Sequence, residues 1–273
     1  MSNRAADEFT RLLEIVATLH GPEGCPWDRV QTIDTLKPFV LEETYEVLEA
    51  IDRHDHEALR EELGDFLFEA VFLAQLESAD GRFTIADSLQ SIADKLVRRH
   101  PHVFNRGAGE PKLDTPGQVR ARWEEIKKQE RGGQDTPTTL LGGLPQALPA
   151  LLRAYHYGVR AASVGFEWAN IPDVVAKIQE EVDEVREAVG DGIGLNQAHV
   201  EDEMGDLLFS IANLARRLGV EPETALRKAN DKFKGRFEAM EHRLTASART
   251  MRDMTLDELD AEWQRVKAEQ RAE

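Results

Sequence analysis

Two stretches of this chain repeat one order of acidic residues. The first has Glu42, Glu43 and Glu46 in EETYE, then Glu62 and Asp65 in ELGD. The second has Glu180, Glu181 and Glu184 in EEVDE, then Glu203 and Asp206 in EMGD. Side chains three or four apart share one face of a helix. Each stretch therefore reads as two helices, each with carboxylates along one face. If the two helices pack together, four carboxylates meet, and like charges held together need a cation between them.

The rest of the chain is helical in period. Phe9, Leu12, Leu13, Val16 and Leu19 follow the three/four spacing of an amphipathic helix, which stops at GPEGCP. Further helices are predicted from about Asp34 to Ile51, from about His56 to Leu76, and from Thr84 to about Arg99. Another opens at Thr115 and Pro116. His100 precedes Pro101 and is pushed out of helical geometry. The C-terminal half reads as five helices: Pro145 to Ser163, Pro172 to Val189, Asn196 to Leu218, Pro222 to Leu244 and Thr255 to Glu269. No alternating segment argues for a sheet.

The acidic stretches are one part of a longer duplication. Trp27 pairs with Trp168, Glu43 and Glu46 with Glu181 and Glu184, and Glu62 and Asp65 with Glu203 and Asp206. Lys95 and Arg99 pair with Lys232 and Arg236, and Trp123 and Lys127 with Trp263 and Lys267. All recur at an interval of about 140 residues. The expected architecture is all-α, with tandem helical domains at 1–130 and 144–273. They are joined by a Gly-, Thr- and Pro-rich linker at 131–143.

Composition narrows the function. The formal net charge is −17, which argues against a nucleic-acid backbone as partner. One cysteine, Cys25, excludes an internal disulfide. The N-terminus has no apolar core of the signal-peptide kind, and no apolar run reaches the roughly 18 residues that span a bilayer. A cytoplasmic protein without a membrane partner is expected.

A lone EExxE is most simply a solvated acidic face. Here it is followed by ExxD, it recurs, and both copies have Gly before the Asp with apolar residues just after. A half-buried acidic set of this kind suits a hard cation. All-oxygen ligation favours Mg²⁺, with Mn²⁺ as the alternative. Neither motif has the Glu-x-x-His of a di-iron bundle, and no paired His or Cys argues for zinc. Magnesium on a few carboxylates usually completes its shell with water and substrate phosphates, which the basic pairs Lys95/Arg99 and Lys232/Arg236 would also suit. No Walker-type loop is present.

CPWD, LEETYEVLEAI, EELGDFLF, DKLVRRHPHVF, VGFEW, DEMGDLLF and KANDKFKGRF together resemble the MazG family of nucleoside triphosphate pyrophosphohydrolases, over essentially the whole chain. The resemblance implies an all-α homodimer that completes its bundle by dimerisation. It also implies Mg²⁺-dependent hydrolysis of NTPs and dNTPs to monophosphate and pyrophosphate, with a role in clearing the nucleotide pool. It casts Glu181, Glu184, Glu203 and Asp206 as metal ligands. Lys177, Lys232, Arg236, Trp263 and Lys267 would contact the nucleotide. Glu180 is the candidate for positioning water, and His199 is a further cation beside Glu203. The first half has the equivalent acids Glu43, Glu46, Glu62 and Asp65, with Lys95, Arg99, Trp123 and Lys127. It has Phe39 where Lys177 would be and Ala58 where His199 would be. That difference makes the C-terminal half the expected catalytic one. The alternatives are a narrower dUTPase-like or phosphoribosyl-ATP pyrophosphohydrolase, and a helical scaffold that binds nucleotide without turnover.

Overall fold

The structure, a computed structural model, describes residues 4–105, 113–131, 139–190, 192 and 194–270. It divides into two compact units, Met1–Gln134 and Asp135–Glu273. The expected linker at 131–143 has residues 132–138 outside the described set. Among the described residues all regular structure is helical.

The first unit contains α1 (Arg4–His20), α2 (Ile33–Arg53), α3 (His56–Ala79), α4 (Ile85–Arg99), α5 (Pro101–Phe104) and α6 (Pro116–Arg131). Its boundaries follow from capping chemistry. Thr32 and Thr35 exchange backbone and side-chain hydrogen bonds at the start of α2. Thr84 and Asp87 do the same at the start of α4. Between α2 and α3 the chain reverses through His54, whose φ of 55 is left-handed, and Asp55, which caps α3 by accepting from Glu57 and Ala58. This short turn makes α2 and α3 an antiparallel hairpin. His100 leaves helical geometry before Pro101, as expected, yet Pro101 then starts the single turn α5, which sequence periodicity does not reveal.

The core of this unit is Val16, Leu36, Val71, Phe72 and Leu76, with Phe9, Leu12, Leu13 and Phe39 packed against it. Phe72 is 1% exposed, and burying such a side chain is worth about 1.5–3 kcal/mol. The apolar stripes of α1, α2 and α3 thus meet, and that contact orients the acidic faces of α2 and α3.

The second unit contains α7 (Ala150–Ala162), α8 (Ile171–Val189), α9 (Gln197–Arg217), α10 (Pro222–Ala246) and α11 (Leu256–Glu269). α7 begins at Ala150 instead of Pro145. Pro149 disfavours helix at Leu148, and its own ψ of 141 is extended. α8 packs on α9, α7 lies on α9, and α10 packs on α11 around Met240, Leu244 and Val266. Gly158 in α7 lets Arg216 come close: a Cβ there would lie 2.9 Å from Arg216 Nε, and the arginine would have to shift. Arg216 uses that space to pair with Glu167, and Arg217 joins it at 3.0 Å while donating to the Trp168 carbonyl at 2.9 Å. The VGFEW segment is thereby tied to α9, fixing the entry to α8.

Candidate functional site

α8 carries Lys177, Glu180, Glu181 and Glu184, and α9 carries His199, Glu203 and Asp206. Packing α8 against α9 brings one oxygen each of Glu181, Glu184 and Glu203 within 4.8 Å of one another. Glu181 is buried at 4% exposure, the other two half so. Asp206, on the same helix, is exposed and lies outside this closest set. Lys177 Nζ sits 2.7 Å from Glu180 Oε1 and 2.9 Å from Glu181 Oε1. Those two carboxylates hold the ammonium pKa well above the ordinary lysine value. Glu184 is raised, first by burial and then by the charges of Glu181 and Glu203, against the opposing Lys177. His199 Nδ1 is 3.3 Å from Glu203 Oε1.

The first unit repeats the arrangement on α2 and α3. Glu43, Glu62 and Asp65 come within 4.8 Å, while Glu46 is exposed and falls outside the closest set. Glu43 is pushed up to about 7, first by burial and then by Glu46, Asp65, Glu62 and Glu69. Glu62 is likewise raised, by burial first and Glu46 next.

Glu181 Oε2 and Glu43 Oε2 occupy equivalent positions, and each is buried with no hydrogen-bond partner. A buried carboxylate oxygen without a donor is costly. Two such oxygens, each within a three-carboxylate set, fit a divalent cation with oxygen ligands.

The basic and aromatic landmarks lie on the helices that follow. Lys232 and Arg236 are on α10, and Trp263 and Lys267 on α11. Trp263 packs on the Met240–Leu244–Val266 cluster, its ring 5.1 Å from the exposed Phe233. Arg236 donates to the neutral amide of Gln270 at 3.0 Å. Among the described residues no ion pair joins Lys232, Arg236 or Lys267 to the acids of α8 and α9. In the first unit Lys95 and Arg99 lie on α4, and Trp123 is half-buried in α6 with its ring edge-on to His100 at 5.1 Å. Lys127 falls in α6, its side chain outside the described set. Arg99 is bound to Glu130 at 2.6 Å, and with Arg98 it holds the Glu130 carboxyl down at about 2. Glu130 stands where the second unit has Gln270.

Sequence reasoning passed over Glu69, Glu130 and Gln270. Glu69 was open to discovery, since it follows Asp65 by one turn on the acid-bearing face of α3. The contacts of Glu130 and Gln270 span more than thirty residues of chain, and no local pattern announces them.

The family model for the MazG nucleotide pyrophosphohydrolase domain matches this chain twice, at residues 31–104 and 172–240, which hold both acid sets. The nucleoside triphosphate pyrophosphohydrolase of Escherichia coli K12 is 47% identical over 269 residues, covering 97% of this chain and 98% of that one. The nucleoside triphosphate pyrophosphohydrolase/pyrophosphatase MazG of Thermotoga maritima is 41% identical over 259 residues, covering 95% of each. A crystal structure of a mazG-related protein from Thermotoga maritima aligns with 44% of this chain and 98% of its own at 31% identity, with a TM-score of 0.37. Two matches in tandem, each with a three-carboxylate set, and full-length similarity above 40% lead to one conclusion: the chain belongs to the MazG nucleotide pyrophosphohydrolase family.

Proposed function

We propose that this chain hydrolyses nucleoside triphosphates, ribo and deoxy, to the monophosphate and pyrophosphate at the acid set of the second unit. The observation that carries this reading is the Glu181 carboxylate, with one oxygen on Lys177 and the other buried and unpartnered beside Glu184 and Glu203. Glu181, Glu184, Glu203 and Asp206 would hold Mg²⁺, or Mn²⁺ in its place. When bound, such an ion would neutralise phosphate charge and lower the pKa of a water on it.

The remaining steps belong to side chains of this chain. Lys177 offers a charge to the phosphates as it leaves Glu180 and Glu181. Arg236 and Lys232 stabilise negative charge on the departing pyrophosphate. His199, four residues before Glu203, adds a ring nitrogen beside that carboxylate. Trp263 and Lys267 present an aromatic surface and a cation to the nucleoside. Glu180 positions the attacking water. The water oxygen bonds to the phosphorus of the first phosphate and gives up a proton to Glu180 or to solvent, the P–O bond to the pyrophosphate breaks, and the electron pair leaves with the pyrophosphate.

Two differences support the second unit as the catalytic one. Lys177 has Phe39 as its counterpart, and Arg236 faces neutral Gln270 where Arg99 is neutralised by Glu130. The equivalent residues Glu43, Glu46, Glu62, Asp65, Lys95, Arg99, Trp123 and Lys127 form the first-unit counterpart.

A homodimer is supported by exposed apolar residues at matching places: Leu63 and Leu67 on α3, Met204 and Leu208 on α9. No helix among the described residues is long and apolar enough to cross a membrane. A cytoplasmic role in clearing the nucleotide pool is the setting we assign. The test is to incubate the purified chain with Mg²⁺ and a panel of NTPs and dNTPs and measure products. Monophosphate and pyrophosphate are expected; orthophosphate with diphosphate refutes the cleavage position, and no product with any metal refutes the activity.

A further inference from the structure

The first unit contains a carboxylate with no counterpart in the second. Glu69 lies on α3, seven residues after Glu62 and four after Asp65, so it continues their face by one more turn. It is 6% exposed, its Oε2 is buried without a hydrogen-bond partner, and its charge acts on Glu43. The matching residue on α9 is Ser210.

The surroundings of the two acid sets differ in the opposite sense. In the second unit Lys177 already neutralises part of the set. In the first its place is taken by Phe39, whose ring meets Trp27 edge-on at 5.6 Å. Arg99, one of the basic landmarks of this unit, is engaged by Glu130. Among the described residues none of Glu43, Glu46, Glu62, Asp65 and Glu69 is ion-paired to a basic side chain.

We propose that the first unit is a divalent-cation site that fills without nucleotide, and that Glu69 supplies the charge that makes it so. Affinity of carboxylate sites for hard cations rises with the number of charged ligands. The Glu43, Glu62 and Asp65 set, with Glu46 and Glu69 adding charge beside it and no basic side chain ion-paired to it among the described residues, favours the ion and disfavours a triphosphate. In the second unit Lys177 on Glu181 Oε1 already offsets part of the charge that would draw a cation to the free Oε2, and a triphosphate gives Lys177 a new partner. That site therefore fills when metal and nucleotide arrive together. The cation in the first unit would bridge α2 and α3 and so stabilise the hairpin. This inference is independent of the hydrolysis assigned to the second unit, because it is read by binding alone.

The experiment is a titration of the full-length chain with Mn²⁺, followed by electron paramagnetic resonance, without nucleotide. One tight site per chain is expected for the wild type and for E181Q. E43Q loses it. E69Q, nearly isosteric but uncharged, weakens it by about tenfold or more, whereas E69D, which keeps the charge, retains most of the affinity. Adding a non-hydrolysable NTP analogue is expected to reveal a second site in the wild type and not in E181Q. The proposal is overturned if E69Q binds as the wild type does, if E69D loses the site as fully as E69Q, or if E181Q abolishes nucleotide-free binding.

Discussion

Lys177 Nζ lies 2.9 Å from Glu181 Oε1, while Oε2 of the same carboxylate is buried with no hydrogen-bond partner. The ammonium takes one oxygen and leaves the other to a second cation. Replacing Lys177 by Met keeps most of the apolar stem and removes the charge. K177M is expected to lower kcat/KM for a nucleoside triphosphate by about a hundredfold. Steady-state pyrophosphate release measures it, and an unchanged value would remove Lys177 from the reaction.

The two acid sets give separable variants. Glu181→Gln is expected to reduce turnover by about a hundredfold or more, since a metal-facing carboxylate becomes a weak neutral ligand. Glu43→Gln is expected to leave the larger part of turnover in place. Single-variant rates decide between the units: loss with E43Q and retention with E181Q would show that the assignment is reversed.

Gln270 leaves the charge of Arg236 uncompensated, whereas Glu130 neutralises Arg99. Gln270→Glu would copy the first unit's arrangement into the second. It is expected to raise KM for the triphosphate by about tenfold, with a smaller effect on kcat. If KM stays at the wild-type value, Arg236 has no part in phosphate binding.

Burial and four neighbouring carboxylates push Glu43 up to about 7 from 4.5. Between those two values the folded chain binds more protons than the unfolded one, so folding stability falls as pH rises through that window. In EDTA the melting temperature of the first unit should therefore drop between about pH 5 and pH 8, and a divalent cation should remove most of the drop by replacing the proton. E43Q should flatten the profile. A wild-type melting temperature in EDTA that is level with pH, or rises, contradicts the environment described for Glu43.

The two cores should respond separately to cavities. Phe72 and Leu244 are each 1% exposed, one in each unit. Phe72→Ala is expected to cost about 3–5 kcal/mol and Leu244→Ala about 2–5 kcal/mol. Hydrogen exchange should rise in α1–α3 for the first and in α10–α11 for the second. Uniform acceleration over both units by either variant would contradict separate cores.

Much of this protein was legible in its sequence. The capping pairs Thr84/Asp87 and Thr255/Glu258 mark helix starts that the structure has. Where an expected end moved, as at Pro149, a second proline competed with the first. The repeated acids, basic pairs and tryptophans gave tandem all-α units, because each landmark depends only on spacing along one helix.

Spacing places a side chain on a face, and helix packing decides what it meets there. Spacing alone puts eight acids on matching faces of α2, α3, α8 and α9. Helix packing is what closes Glu43, Glu62 and Asp65 together in one unit and Glu181, Glu184 and Glu203 in the other, leaving Glu46 and Asp206 outside the closest sets. It also decided that Glu130 reaches Arg99 and Gln270 reaches Arg236. Local periodicity fixes direction within one helix to about a hundred degrees per residue. A contact of a few ångströms between helices depends on crossing angle and register, which the buried apolar side chains set together.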